Sequence, residues 1–124
     1  MAAFVEKGLH PETYEILYCP GGEITEATAS NAFMVIDGKI VTAPLERVLS
    51  GVTRTFVLEV AREAGYTVEE RCPRLDELPR AVEFFITGSV KEILPVVKIG
   101  AARIGDGKPG PVTAHLIQLL AGSL

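Results

Sequence analysis

The sequence has little of several residue types that mark particular classes of protein. It contains no tryptophan, aromatic residues make up 6% of its 124 residues, and it has two cysteines. Cys19 and Cys72 stand apart, with no C-x-x-C pair and no cysteine–histidine cluster at metal-ligand spacing. The sequence therefore predicts no metal site. Because nothing indicates secretion, we expect two buried thiols rather than a disulfide.

Positive charge and long apolar runs are also scarce. Lysine and arginine number 12 against 16 acidic residues, a net charge of −4, whereas binding to nucleic-acid phosphates requires clustered cations. No uncharged window approaches the ~18 apolar residues of a membrane span. The N-terminus lacks the basic segment and apolar run of a signal peptide. We therefore expect a soluble, cytoplasmic protein that binds neither nucleic acid nor membrane.

Apolar residues, in contrast, are abundant. They make up 48% of the chain, which has no internal repeats, charge blocks or low-complexity linkers. A chain of this length fits one domain, residues 1–124, with a single core. The apolar excess suggests a face that is covered by another copy of the chain or by a neighbouring domain.

The spacing of apolar residues predicts a mixed α+β domain that begins with antiparallel strands. Asp37-Gly38 is a strong hairpin signal between the segment 24–36 and the strand that begins at Lys39. Residues 51–65 carry apolar residues on one helical face. The other expected elements are strands at 13–19, 66–72, 82–89 and 92–100, a short helical turn at 74–81 and a helix at 111–120. Pro95 should mark an edge strand or a bulge, and Lys7 should lie on a frayed, exposed terminus.

Three corners of the sequence are rich in small polar residues, at 26–31, 50–54 and 86–90. The helix start at Gly51-Val52-Thr53 offers backbone N–H groups and a positive dipole end, which together hold anions such as phosphate. Thr87-Gly88-Ser89 would add donors if it lies beside that helix start. The plainer alternatives are helix capping by Ser50 or Thr53 and an ordinary turn after a strand.

Glu26 also has two readings. A glutamate on a turn is most often a surface acid. A carboxylate can also keep the ring nitrogen of a heterocyclic cofactor protonated. A phosphate at one end and a cationic ring nitrogen at the other describe pyridoxal phosphate.

Four blocks carry a family resemblance: ITEATASNAFMVIDGKIVTAPL, LSGVTRTFVLEVAREAGYTVEER, FFITGSVKEILPVVKI and IGDGKPGPVT. In this order and spacing they resemble the C-terminal domain of class IV, fold-type IV aminotransferases, from about Tyr14 to Leu116. The family includes branched-chain amino acid aminotransferase, D-amino acid aminotransferase and aminodeoxychorismate lyase, and the blocks are most similar to the branched-chain type. The resemblance implies a mixed sheet or pseudo-barrel with packed helices, and a homodimer.

The resemblance also implies a cofactor, pyridoxal 5'-phosphate, and the residues that bind it. Glu26 matches the acid that bonds the pyridine nitrogen, Val52 and Thr53 match the phosphate-binding helix start, and Ser89 matches a hydroxyl on the same phosphate. The substrates would be an amino acid and 2-oxoglutarate. Their carboxylate would be bound by the backbone amides of Val90 and Lys91.

The chain departs from the family pattern at several positions. Ala27 stands where glycine is usual, Ser89 where threonine is usual, and Lys91 where a small residue or glutamate is more common. Arg54 belongs to the motif, but the resemblance gives it no cofactor contact.

The family's Schiff-base lysine and its phosphate-binding arginine would lie upstream of Met1, and no lysine of this chain matches the former. We therefore expect a C-terminal cofactor-binding domain or fragment that has no catalytic residue of its own and is inactive alone. Three alternatives remain: a non-catalytic binding or assembly module that keeps the fold, a relative of D-amino acid aminotransferase or aminodeoxychorismate lyase, and an anion-binding domain without a cofactor.

Overall fold

The computed structural model of the chain describes residues 2–7, 14–27, 30–47, 52–87, 93–99, 102–108 and 110–122. This part of the chain holds nine strands and two α-helices. In chain order they are β1 (Ala2–Lys7), β2 (Tyr14–Tyr18), β3 (Glu26–Ala27), β4 (Ser30–Ile36), β5 (Lys39–Thr42), α1 (Val52–Glu63), β6 (Thr67–Glu70), β7 (Glu83–Thr87), β8 (Ile93–Ile99), β9 (Ala102–Arg103) and α2 (Pro111–Gly122). Short 3-10 turns lie at Pro20–Gly22, Leu45–Arg47 and Leu75–Arg80.

Six of the strands form a closed ring. The strand order is β3-β2-β1-β8-β7-β4-β5-β6, and an additional pairing of β3 with β4 joins the two ends of the first six. Every neighbouring pair within the ring is antiparallel. Strands β5 and β6 extend the sheet from β4, outside the ring. The expected α+β class with a pseudo-barrel and packed helices is confirmed.

The turn between β4 and β5 forms as its sequence predicts. Asp37 and Gly38 have φ values of 52° and 74°, and Ile36 pairs with Lys39 across the turn. Positive φ at both central residues is the geometry that Asp-Gly favours, because its twist matches that of the flanking strands. The hairpin sets the register of β4 against β5.

Helix α1 is the crossover between two parallel strands. Residues of β5 pair in parallel with β6, from Lys39 with Thr67 to Thr42 with Glu70. Parallel neighbours cannot be joined by a tight turn, so the chain returns along α1. Between the end of β5 at Thr42 and the start of α1 at Val52 lies the 3-10 turn Leu45–Arg47.

Apolar residues fill two cores, one on each face of the sheet. Met34, Phe84 and Ile86 belong to the cluster on one face. Phe33 and Phe85 belong to the other, where their rings stack at 4.8 Å beneath the helices. Strands that are buried on both faces read as continuous apolar runs.

This double core accounts for the apolar composition. Among the side chains that the structure describes, the large exposed apolar ones are Val82 at 57% and Ile117 at 36%. The covered apolar face expected from composition stays a prediction.

The structure differs from the expected elements at the N-terminus and in the first block. Residues Ala2–Lys7, which carry no strand signal that we recognised, form β1 between β2 and β8. Lys7 ends this strand, so the expected frayed terminus is wrong. The segment expected as one strand, 24–36, is two short strands that pair with each other, Glu26 opposite Asn31.

Pro95 does not lie in an edge strand. Strand β8 pairs with β7 on one side and β1 on the other, and Pro95 faces Phe85 of β7. The last described β1 partner on β8 is Val96, and the register shifts between Glu6 and Lys7. The missing N–H of the proline is therefore accommodated where the pairing with β1 ends.

No helix in the described ranges is long and apolar enough to cross a membrane.

Candidate functional site

Three strand ends meet at one edge of the sheet. Because β4 is antiparallel to both β5 and β7, the beginning of β4 lies beside the ends of the other two. Two buried hydrogen bonds join them. The backbone N–H of Asn31 donates to Thr87 Oγ1 at 3.0 Å, and Thr42 Oγ1 donates to the carbonyl of Ala32 at 2.7 Å. The small polar residues of this edge therefore connect strands instead of covering a solvated turn.

The first turn of α1 joins the same edge through Arg54. Its Nε donates to the carbonyl oxygen of Ala43, immediately after β5, at 3.0 Å. Arg54 is the third residue of the helix, so this bond holds the helix start beside the strand end. Val52 and Thr53, the residues expected to bind phosphate, begin that helix, and the Thr53 side chain is half-buried.

Glu26 also lies at this edge. It pairs with Asn31 of β4 and with Tyr18 of β2, and so bridges the two arms of the ring. For Glu26 the structure describes the backbone. The backbone pairing places Glu26 directly opposite Asn31, whose N–H donates to Thr87 Oγ1.

Arg54, Glu70 and Arg62 form a charged cluster beside α1, in which Arg54 is buried and the other two side chains are exposed. The Arg54 side chain is 2% exposed, and its Nη2 donates to Glu70 Oε1 at 2.7 Å. The second oxygen of Glu70 accepts from Arg62 Nη2 at 3.0 Å. These hydrogen bonds, that of Arg54 first, lower the pKa of the Glu70 carboxyl. With two cations on one anion, the cluster is net positive.

An anion is the ligand that this arrangement suits. The first turn of α1 contains no acidic residue. Its leading N–H groups have no intrahelical acceptor, and the helix dipole adds partial positive charge there. The donor set fits a phosphate group without a lysine at the site.

The expected site residues divide into two groups. Glu26, Val52 and Thr53 lie at the same edge as Thr87, a residue of the third small-residue corner. Ser89, Val90 and Lys91, expected on the phosphate and the substrate carboxylate, lie outside the described residues.

Sequence reasoning missed the residues that hold this edge together. Arg54 was assigned no role, and Glu70 and Thr42 were not singled out. One signal in the sequence could have found Arg54. A cation in the first turn of a helix opposes the helix dipole, so its presence there indicates a compensating contact.

Metal and thiol chemistry find no support at this edge. Within the ranges that the structure describes, no group of three histidine, cysteine or acidic side chains is arranged so that it could hold a metal ion. Cys19 and Cys72 are both buried, as expected, and burial raises the pKa of each thiol.

The known proteins that this chain resembles in sequence are aminotransferases. The sequence profile of the family described as amino-transferase class IV matches residues 12–99. A D-alanine aminotransferase of Bacillus licheniformis is 35% identical over 120 residues, 96% of this chain and 42% of that protein. Branched-chain-amino-acid aminotransferase-like protein 1 of Arabidopsis thaliana is 42% identical over 77% of this chain and 17% of its own length.

Solved structures of the same family resemble this fold. The branched-chain amino acid aminotransferase from Thermobaculum terrenum in its pyridoxal phosphate form superposes with a TM-score of 0.80 at 34% identity, over 90% of this chain and 38% of that one. The chain thus spans less than half the length of these relatives. A ring of six strands, a helix start held at the meeting point of three strand ends, and a profile match over most of the sequence lead to one conclusion: the chain belongs to the class IV aminotransferase family.

Proposed function

We propose that the chain is the cofactor-binding domain of a pyridoxal phosphate-dependent aminotransferase of the branched-chain type. The observation that carries the proposal is the acid-free first turn of α1, held by buried Arg54 at the edge where Glu26 and Thr87 also lie. Enzymes of this family depend on pyridoxal phosphate. The complete reaction would move an amino group between an amino acid and 2-oxoglutarate.

Each residue at the edge has a defined task in this proposal. The backbone N–H groups of Val52 and Thr53, with the Thr53 hydroxyl, hold the phosphate. Ser89 adds a second hydroxyl. The Glu26 carboxylate accepts a hydrogen bond from the pyridine nitrogen and keeps it protonated. When bound, the cofactor supplies the carbonyl group and the electron-withdrawing ring that amino-group transfer requires.

The substrate would be oriented by backbone groups rather than by a charged side chain. The amides of Val90 and Lys91 bind its carboxylate in the proposal. Backbone donors at a turn recognise an anion through geometry and carry no charge of their own. Side-chain selectivity would then come from elsewhere in the complete protein.

The phosphate site can be tested on the 124-residue polypeptide. Titration with inorganic phosphate, and separately with pyridoxal phosphate, should shift the NMR signals of the Val52, Thr53 and Ser89 amides together. Thr53→Val should weaken the response because it removes one hydroxyl donor. Thr55→Val is the matched control, since Thr55 lies in the same helix with an exposed side chain.

The expected affinity is weak. The family's phosphate-binding arginine has no counterpart among the matched residues, and a charge-assisted bidentate contact contributes roughly 1.5–3 kcal/mol, about tenfold to over a hundredfold in affinity. We expect millimolar binding. A phosphate response confined to another region, with the Val52 and Thr53 amides unmoved, would place the site elsewhere.

The amino-acid substrate has two candidates, a branched-chain amino acid and D-alanine. The branched-chain type is supported by the TAPL, LSGVTR and GDGKPGPVT segments and by the solved neighbours, whereas the Bacillus licheniformis relative acts on D-alanine by its name. The natural full-length protein should be assayed with 2-oxoglutarate and L-leucine, L-isoleucine, L-valine or D-alanine. Turnover confined to D-alanine would favour the second candidate.

A non-catalytic binding or assembly module remains the other functional class. It is favoured if the natural full-length protein binds pyridoxal phosphate but transfers no amino group from any of these substrates. Absence of any phosphate response would instead favour a domain in which the small-residue corners are ordinary turns.

A further inference from the structure

A buried arginine in the first turn of a helix is an unfavourable arrangement that needs a physical reason. Arg54 is 2% exposed and lies at the positive end of the α1 dipole. A cation there opposes the helix dipole, and burial of its charge is unfavourable as well. Stability alone would favour an acidic residue at this position.

The Arg54 side chain joins three elements of the fold. Nε bonds the carbonyl oxygen of Ala43, and Nη2 bonds the carboxylate of Glu70 at the end of β6. The guanidinium therefore connects the first turn of α1 with the ends of two parallel strands. A planar group with donors in a fixed fork can hold both acceptors at once, whereas a lysine offers a single ammonium.

We infer that Arg54, fixed by Glu70, is a positioning residue that sets where the Val52 and Thr53 amides point. The inference rests on the proposed function for the identity of the ligand, a phosphate group. The described Arg54 donors, Nε and Nη2, are directed to Ala43 and Glu70 and not to the phosphate in this arrangement. Its effect on binding is exerted through the helix start.

Neighbouring glutamates allow a matched test. Glu70 bonds Arg54 and Arg62, whereas Glu69 bonds Lys39 and Arg71. Glu69→Ala and Glu70→Ala each remove one negative charge from the same strand. Simple Coulomb attraction would make both variants bind phosphate slightly more tightly. Loss of positioning should instead weaken binding in Glu70→Ala alone.

Inorganic phosphate titration of the 124-residue polypeptide, followed at the Thr53 amide, measures the difference. We expect the dissociation constant of Glu70→Ala to rise about three- to tenfold, the effect of one hydrogen bond, with Glu69→Ala near the parent value. Arg54→Lys, which keeps the charge, should also weaken binding. If Glu70→Ala or Arg54→Lys binds phosphate as well as the parent or better, the positioning role is wrong.

A ligand-free measurement separates this inference from the proposed function. The Arg54 Nε–H signal and the Thr53 amide shift should change in Glu70→Ala and stay in place in Glu69→Ala. If the parent chain shows no phosphate response at Thr53, the proposed site fails, and these ligand-free shifts still decide whether Glu70 fixes the helix start. Unchanged signals in Glu70→Ala would overturn the positioning role even if phosphate binds.

Discussion

Glu77 is a carboxylate that folding places among arginines. Its side chain is 11% exposed, and its two oxygens accept a bidentate pair of hydrogen bonds from Arg71 at 2.8 Å each. The backbone N–H of Arg74 donates to it as well, at 2.9 Å. The Arg71 hydrogen bonds, foremost, lower the pKa of Glu77, and the same contacts raise the pKa of Arg71.

The lowered pKa gives a stability that depends on pH. A carboxyl whose folded pKa lies below its unfolded value of about 4.3 contributes stability at neutral pH, which is lost as pH falls through the folded pKa. We expect Glu77→Gln to lower the free energy of unfolding by about 1–3 kcal/mol at pH 7. The decrease in the free energy of unfolding at acidic pH should also be smaller in Glu77→Gln than in the parent chain.

Urea unfolding between pH 2 and pH 7, values chosen to span the carboxyl range, measures the profile. Glu59→Gln is the control, because Glu59 is exposed on α1 and its substitution should change stability by less than about 0.5 kcal/mol. A Glu77→Gln profile that parallels the parent profile at every pH would contradict the assignment.

At the scale of elements, the start of α2 depends on a residue from another strand. Glu83, 5% exposed at the beginning of β7, accepts hydrogen bonds from the N–H groups of Val112 and Thr113 at 3.0 and 2.8 Å. Pro111 has no N–H to satisfy, so it suits the first helical position. A carboxylate at this end also complements the helix dipole.

Gly110 makes this contact possible. A Cβ at position 110 would overlap the Glu83 side chain. The cap therefore requires a glutamate on β7 and a residue without a side chain just before α2. Together they fix the helix against the face of the sheet where Phe33 and Phe85 stack.

Substitutions at the two positions should destabilise the chain through α2. Glu83→Gln should cost about 1–2 kcal/mol, the range for loss of a good helix cap, and Gly110→Ala should cost at least as much because it displaces the carboxylate. Thermal unfolding and amide exchange of Ala114 to Leu116 would show both. The control is Val82→Ala, at the exposed neighbour of Glu83, which should change the free energy of unfolding by less than about 0.5 kcal/mol. If the α2 amides of Glu83→Gln exchange as slowly as those of the parent chain, Glu83 does not cap the helix.

The whole molecule is organised by a ring whose closure joins distant parts of the sequence. Strand β1 pairs with β8, so residues near position 5 meet residues near position 99. The second closure, β3 with β4, is local. The phosphate-binding edge proposed here is formed where the ring and the β5–α1–β6 crossover meet.

The 124-residue polypeptide should show no aminotransferase turnover. By resemblance, none of its lysines occupies the Schiff-base position, and amino-group transfer needs a lysine amine to hold the aldehyde and move the proton. Borohydride reduction with pyridoxal phosphate, followed by peptide mass mapping, should give no single stoichiometric lysine adduct. Such an adduct together with measurable transamination would refute the prediction.

Association of the chain stays a prediction as well. The resemblance implies a homodimer, whereas the described surface contributes two large exposed apolar side chains. Analytical ultracentrifugation at micromolar concentration should give a dimer. A clean monomer that also fails to bind hydrophobic dyes would count against a subunit interface.

Local chemistry made several parts of this protein predictable. The Asp37-Gly38 turn, the amphipathic α1 and the proline at the start of α2 were identified because neighbouring residues specify them. The family resemblance was confirmed because ordered blocks carry it along most of the chain. Glu26, Val52 and Thr53 could be proposed in the same way, from motifs.

The tertiary structure decided what depends on contacts between remote residues. Sequence by itself determined the Asp37-Gly38 turn, the helices and the family; it did not reveal β1, which pairs with β8 near the other end of the chain, Val5 opposite Ile99. Nor could it show that Arg54 bonds Ala43 and Glu70, or that Glu83 caps α2. Such partners are brought together only when the ring, the crossover and α2 pack into one fold, because a hydrogen bond depends on distance in space rather than along the chain.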